Sequence, residues 1–517
     1  MVTNRRVTRP RSRNGCITCK IRHVKCDEEK PQCLQCTRSG RKCDGYDNAS
    51  QTQLRQRIAE RHRPIDRDTF SADHRLLLRQ ETRTERRYVD FFYTTTSSAL
   101  SGFYSSKLWS YLIPQFAEHE PSVRHAMTAI GAIHSRVQRT VASPALEDAS
   151  GPTEQFVLEE YNKSIQALVK SLSAAKGESV DLTLTACCLF VCLEMLRDNQ
   201  KGALDHIEAG LHIIHKHEQT YPKAARTSEL YHQLRDLFLR LNLQASFMGR
   251  LIVPLKVCPS EKFRSGLTFT DIPQARTYLD QLMTKALLFI RSVGTMREAR
   301  EPALQLNLEI KRGELHQEFF AWRFSHDNLL SRLGPNIQPT ALCASLLLRI
   351  YYHLSLLWVL TVLERTEDLY DHFTADFEAT ISYAEEIIRI NSSANKSDDQ
   401  DGFSLEGEII APLFFVACRC RHPVIRRRAL TILSHYSKRE GMWDARLCAG
   451  VAQLIMEVEE SQCAVPPTCE RDIGTLARVY EEVQPLNIRT NPVHVILYMR
   501  PEGVDGPWRT RSEVVEW

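Results

Sequence analysis

At 517 residues the chain exceeds what one hydrophobic core organises, so two or more domains are expected, and 43% hydrophobic residues exclude a mainly disordered protein. Lys plus Arg outnumber Asp plus Glu by only 67 to 63, yet residues 1–45 alone carry a net +8, which leaves 46–517 at −4. A cationic head on a mildly acidic body points to a polyanion as the partner of the head.

Residues 1–14 form a basic arm with Arg5, Arg6, Arg9, Arg11 and Arg13. The arm has no apolar run, so no secretory leader is expected and the cysteines should serve as thiols or metal ligands in a reducing compartment. Nuclear import and contact with DNA phosphates both account for such an arm, and both place the protein in the nucleus.

Six of the 16 cysteines fall at Cys16, Cys19, Cys26, Cys33, Cys36 and Cys43, one C-x2-C-x6-C unit used twice. A repeated unit predicts two similar metal sites. Structural zinc takes four ligands, so two ions ask for eight positions where six cysteines are present, and two thiolates must bridge. Six thiolates and two dications sum to about −2, which nearby Lys and Arg offset. A zinc-thiolate store or redox sensor is the alternative use of such a cluster. Cations interleaved with apolar anchors in Lys20-Ile21-Arg22-His23-Val24-Lys25 favour DNA, because a store has no need of a reading helix.

The segment GCITCKIRHVKCDEEKPQCLQCTRSGRKCDGY resembles the fungal-type binuclear zinc cluster, the six-cysteine DNA-binding module of fungal transcription regulators. The resemblance implies two zinc ions with Cys16 and Cys33 as the bridges, and it matches Pro31 to the loop proline and Asp27 to the acid after the third cysteine. It also implies that Arg22 and His23 read a short G·C-rich triplet in the major groove, His23 standing where Lys or Arg is common. Lys20, Lys25, Arg38, Arg41 and Lys42 are assigned to phosphates, which position without reading sequence. The module is taken as residues 15–45. Double-stranded DNA and the transcription machinery are then the expected partners, and RNA polymerase II genes, often metabolic ones, the expected targets.

Residues 46–82 read as a polar linker. Leu54 and Ile58 make one helical interval before Pro64, too little for a coiled coil, so the protein either binds as a monomer or forms a homodimer through its helical body. From residue 83 to about 470 the pattern is all-α, and the whole chain is expected to be mainly α. Val123, Met127, Ile130 and Ile133 after Pro121 predict a helix, as do Leu158, Tyr161, Ile165, Leu168 and Leu172, and Leu204, Ile207, Leu211 and Ile214. Further helices are expected over 227–248, 274–294, 340–364, 370–390, 408–420 and 423–436. Residues 91–136 resemble the start of the regulatory domain of fungal zinc-cluster factors. The apolar stretch 350–363 is too short to span a bilayer, so no membrane association is expected and it reads as a core helix. Within the C-terminal segment 471–517, residues 479–488 and 493–499 are expected to form a short β-hairpin.

No catalytic role is expected of the body. Cys187, Cys188 and Cys192 sit in an apolar run as small hydrophobes. Cys418, Cys420 and His422 lack a fourth ligand nearby, and His206, His212, His215 and His217 suit a helix C-terminus. His119-Glu120 lacks the second histidine of a metalloprotease helix, and no phosphate loop or nucleophile elbow occurs. The acidic stretch 397–408 reads as an exposed interhelical loop, with an activation segment as its alternative.

Overall fold

A computed structural model describes residues 16, 18, 19, 22, 24–43, 82–104, 106–142, 154–174, 179–220, 228–247, 250, 253, 255, 266–296, 302–394, 402–436, 438–483 and 492–517. The basic arm, Lys20, His23, and Leu54, Ile58 and Pro64 of the linker lie outside these residues. The chain divides into two compact units, 1–81 and 82–517. Among the described residues the first has the helix α1 (Leu34–Arg38) beside the cysteines.

The second unit opens with α2 (Arg83–Phe91). Thr82 and Glu85 form a reciprocal cap there, the Thr82 hydroxyl accepting from the Glu85 amide and the Glu85 carboxylate from the Thr82 amide. Burial opposes ionisation of Glu85, but these bonds and the Lys163 ammonium win and hold its pKa at about 2. A widened turn leads to α3 (Ser97–Ser101), followed by α4 (Ile113–Ala117), α5 (Pro121–Ala142), α6 (Glu154–Ala174), α7 (Val180–Leu196), α8 (Gln200–Thr220) and α9 (Glu229–Phe247). Together they enclose a first core.

Pro121 opens α5 as expected, and Val123, Met127, Ile130 and Ile133 are at most 1% exposed. Gly131 lets α2 approach: a Cβ there would meet the Tyr88 carbonyl oxygen at 2.1 Å. The α8 stripe Leu204, Ile207, Leu211 and Ile214 is buried throughout. On α6 the buried line runs instead through Val157, Glu160 and Ser164, and Ile165 is exposed. Glu160 can be buried because His125 and Lys163 contact its carboxylate at 2.8 and 2.6 Å, while Ser164 donates to the Ser122 carbonyl. Of the expected stripe Tyr161, Leu168 and Leu172 pack partly buried against the first core, so apolar spacing finds the face but centres it about one position too far along the helix.

Next come α10 (Ile272–Met296), α11 (Pro302–Leu333), α12 (Pro339–Thr361) and α13 (Thr374–Ala394), with a second core among α10, α11 and α12. The 32-residue α11 has no counterpart among the expected helices. By length and composition α12 could cross a membrane, yet two-thirds of its most apolar window is buried in this fold. Its polar side chains find partners there, Ser345 with His326 and His353 with Asp376.

The third core joins α12 and α13 to α14 (Ile410–Arg419), α15 (Pro423–His435), α16 (Ala445–Glu460) and two small sheets. In the first sheet β1 (Phe403–Ser404) pairs parallel with β2 (Arg439–Glu440), which pairs antiparallel with β3 (Trp443–Asp444). The end of the acidic stretch is therefore not an exposed loop. Phe403, Leu405 and Glu408 are buried, Glu406 pairs with Arg240 and Arg276, and Lys438 closes on Glu408 at 2.7 Å. Residues 397–401 lie outside the described residues. The C-terminal sheet has the expected pair β4 (Val479–Val483) and β5 (Val493–Met499), antiparallel, and adds β6 (Arg509–Val515) along the other edge of β5.

Candidate metal centre and nucleic-acid interface

Among the described residues the six N-terminal cysteines, buried and free of disulfides, form a cluster of their own. They form two overlapping sets, Cys16, Cys19, Cys26 and Cys33, and Cys16, Cys33, Cys36 and Cys43, with the sulfurs of each set within 4.8 Å of one another. Within the sets, Cys16 and Cys33 are 3.5 Å apart, Cys19 and Cys33 3.7 Å, and Cys16 and Cys36 3.7 Å. A zinc tetrahedron with Zn–S bonds of about 2.3 Å has edges of about 3.8 Å, so the spacing suits that ion. Cys16 and Cys33 are common to both sets. Burial pushes the Cys16 thiol up to about 12 and raises Cys19. The anionic cage therefore depends on dications among the sulfurs, which deprotonate coordinating thiols.

Backbone geometry repeats with the cysteine spacing. The Cys19 amide donates to Cys16 Sγ at 3.4 Å, and the Cys36 amide to Cys33 Sγ at 3.3 Å. Five residues beyond Cys19 and Cys36, the amides of Val24 and Arg41 return to the carbonyls of those cysteines at 3.1 and 3.0 Å. Each half thus wraps its C-x2-C turn in the same way. Asp27 ties the halves together, accepting from the Leu34 and Gln35 amides at 2.7 and 3.1 Å at the start of α1. Burial opposes its charge, but these donors prevail and lower its pKa. Pro31 follows a cis peptide bond in the intervening loop, and Gly40 takes the left-handed conformation beyond α1.

Lys25, Arg38, Arg41 and Lys42 are exposed on this unit. Arg22 is half-buried, and its Nη1 donates to the Ser39 hydroxyl at 3.0 Å. Sequence reasoning had no signal for that contact, since it follows from where the two halves meet.

Among the described residues, the clusters with metal-ligand composition do not include the cysteine and histidine groupings of the helical body. Cys187, Cys188 and Cys192 are core residues of α7. Cys418 and Cys420 are buried, and burial raises both thiols. Between Cys420 and His422, Arg421 points into a wholly buried ion triad in which Glu459 lies 2.9 Å from Arg421 and 2.8 Å from Arg426. His206 meets the Tyr161 hydroxyl at 3.1 Å, and His212 turns back to the Glu208 carbonyl. Among the described residues the remaining cluster with metal-ligand composition is Glu85, His125 and Glu160, where Lys163 contacts both carboxylates.

Residues 14–53 match the fungal Zn(2)-Cys(6) binuclear cluster domain, and residues 87–453 match the fungal specific transcription factor domain. The chain is 31% identical over 252 residues to the aspercryptin biosynthesis cluster-specific transcription regulator of Emericella nidulans, covering 45% of this chain and 40% of that one. It is 23% identical over 205 residues to the transcription regulator lscL of Purpureocillium lilacinum, covering 39% and 48%. A shorter match, 41% over 68 residues, covers 13% of this chain and 9% of the lysine biosynthesis regulatory protein of Saccharomyces cerevisiae. The chain spans less than half the length of the first two relatives. No solved structure matches it. Two zinc ions are the cofactor of the cysteine module, and with the second match covering most of the helical body, the chain belongs to the fungal-specific transcription factors that carry a Zn(2)-Cys(6) binuclear cluster.

Proposed function

We propose that the protein is a nuclear, sequence-specific DNA-binding regulator of RNA polymerase II transcription. The observation that carries this reading is a cage for two ions, surrounded by Arg22, Lys25, Arg38, Arg41 and Lys42, in a chain of that family. Cys16 and Cys33 bridge the ions, Cys19 and Cys26 complete one site, and Cys36 and Cys43 complete the other. Arg22 and His23 read a short G·C-rich triplet, the Arg by paired donation to guanine O6 and N7. Lys20, Lys25, Arg38, Arg41 and Lys42 bind phosphates, and the basic arm adds to the same electrostatic attraction. The helical body regulates or recruits the transcription machinery and carries no catalysis. Two relatives are named for biosynthetic regulation, which supports metabolic genes as the targets. The family match favours this reading over zinc storage.

Selection from a randomised duplex library with zinc-loaded full-length protein tests it. Recovered sites should share a G·C-rich triplet, affinity should fall steeply with salt, and chelation should abolish binding until zinc is restored. Recovery of unselected sequence, or selection that survives zinc removal, would overturn the reading.

A further inference from the structure

Helix α11 carries two apolar faces. One faces the second core through Leu308, Leu315, Phe319, Trp322 and Leu329. The other lies in solvent: Leu306 is 63% exposed, Ile310 55%, Phe320 66% and Phe324 63%. With exposed Gly313 and Gln317 between them, these positions recur at intervals of 4, 3, 4, 3 and 4, the seam of a coiled coil. The seam runs about 27 Å at 1.5 Å per residue. Four large apolar side chains in one exposed line are a surface that water disfavours, and a soluble chain covers such a line with a partner.

We propose that this face pairs with the same face of a second copy of the chain, the two α11 helices antiparallel about an axis near Leu315. The pattern of large apolar positions, two at each end around Gly313 and Gln317, is the same read in either direction. Reversal places Leu306 opposite Phe324, Ile310 opposite Phe320 and Gly313 opposite Gln317 of the second copy, so a smaller group meets a larger one in every layer. Charge also selects this direction. Beside the seam, reversal brings Glu309 to Arg323 of the second copy at both ends, and both side chains are partly exposed, at 49% and 29%. Glu309 now contacts Arg312 at 2.6 Å, while Arg323 contacts Asp327 at 2.9 Å and lies over the Tyr352 ring at 5.5 Å, so pairing would add a partner to side chains already anchored in the fold. Parallel pairing would instead set Glu309 against Glu314 of the second copy at two places, a like-charge contact. Antiparallel pairing sets Glu314 against its own copy at one place only, the axis. This pairing does not depend on the reading of the cysteine module as a DNA binder.

Sedimentation equilibrium of the zinc-loaded full chain across a concentration series provides the test, with DNA affinity measured separately. The wild type should approach twice 59.4 kDa, and Phe320→Glu should return it to the monomer mass with an unchanged far-ultraviolet spectrum. Glu309→Arg alone should weaken the dimer about tenfold, and adding Arg323→Glu should restore it. A wild-type monomer at every concentration would overturn the proposal, as would a dimer indifferent to Phe320→Glu or strengthened by Glu309→Arg alone. Glu309→Arg changes a side chain that is 49% exposed, so with an unchanged far-ultraviolet spectrum its result stands even where Phe320→Glu perturbs folding.

Discussion

Arg22 and Ser39 occupy equivalent places, 17 residues apart, in the two halves of the cysteine repeat, and the guanidinium of the first donates to the hydroxyl of the second at 3.0 Å. Ser39 is itself fixed, since its hydroxyl donates to the Gln35 and Cys36 carbonyls at 2.9 and 3.0 Å at the end of α1. The side chain proposed to read guanine is therefore held by the half that does not read. Arg22→Ala should weaken binding to the selected site by about 10-fold or more while changing random-duplex binding far less. Ser39→Ala should cost about 1 kcal/mol, roughly fivefold, on the selected site by releasing the same arginine. Fluorescence anisotropy on both duplexes checks this, and equal losses on the two would remove Arg22 from the reading role.

Two thiols common to both sulfur sets predict an uneven response to single substitutions. Cys26→Ser touches one ion, so about one zinc per chain should remain. Cys16→Ser touches both, and the content should fall close to zero. Elemental analysis after gel filtration separates the cases. Equal zinc in the two variants would show that Cys16 does not bridge.

Glu440 supplies a pH dependence to the helical body. Its buried carboxylate accepts the amides of Glu408, Ile409 and Ile410 at the start of α14, at 2.7, 3.1 and 2.9 Å. Burial, followed by the neighbouring Glu408 charge, nonetheless raises its pKa from 4.5 to about 7 against the pull of Lys438 and these amides. The folded protein then holds a proton that the unfolded chain releases, so the contribution is intact below about pH 4.5 and is lost as pH rises through about 7. The loss is on the order of 3 kcal/mol. Glu440→Gln removes the titrating group, though its NH2 cannot accept from these amides, so its melting temperature should fall less than that of wild type between pH 5 and pH 8. A constant difference across that range would contradict the shift.

The contact at Gly131 is with backbone, which cannot swing aside. Gly131→Ala should therefore push α2 away from α5 and cost about 3 kcal/mol in urea unfolding. A loss below about 1 kcal/mol would mean that the helices separate freely.

How much was legible in the sequence depended on whether one physical cause acted alone. Cysteine spacing is set by metal geometry, and the six thiols gather as their spacing implies. The α8 stripe is plain burial, and it reads directly. On α6 a paired carboxylate, Glu160, occupies the buried line, which apolar counting cannot see. Helix α11 escaped because Leu306 and Ile310 face one way and Leu308 and Leu315 the other, so no single stripe stands out. Strand β6, with sequence RTRSEVV, is polar because most of it is exposed at a sheet edge, and its pairing is decided by β5. Among the proposed site residues, the Arg22–Ser39 contact needs both halves folded before it exists.

The matching hydrogen bonds around Cys16–Cys19 and Cys33–Cys36 show that one turn design is used twice with different cargo. At the places equivalent to Arg22 and His23 the second half has Ser39 and Gly40, so holding an ion makes no demand on those side chains. With Arg22 and His23 in the proposed reading role, such a division would let a few codons redirect the protein to new promoters while the scaffold that keeps it folded passes unchanged.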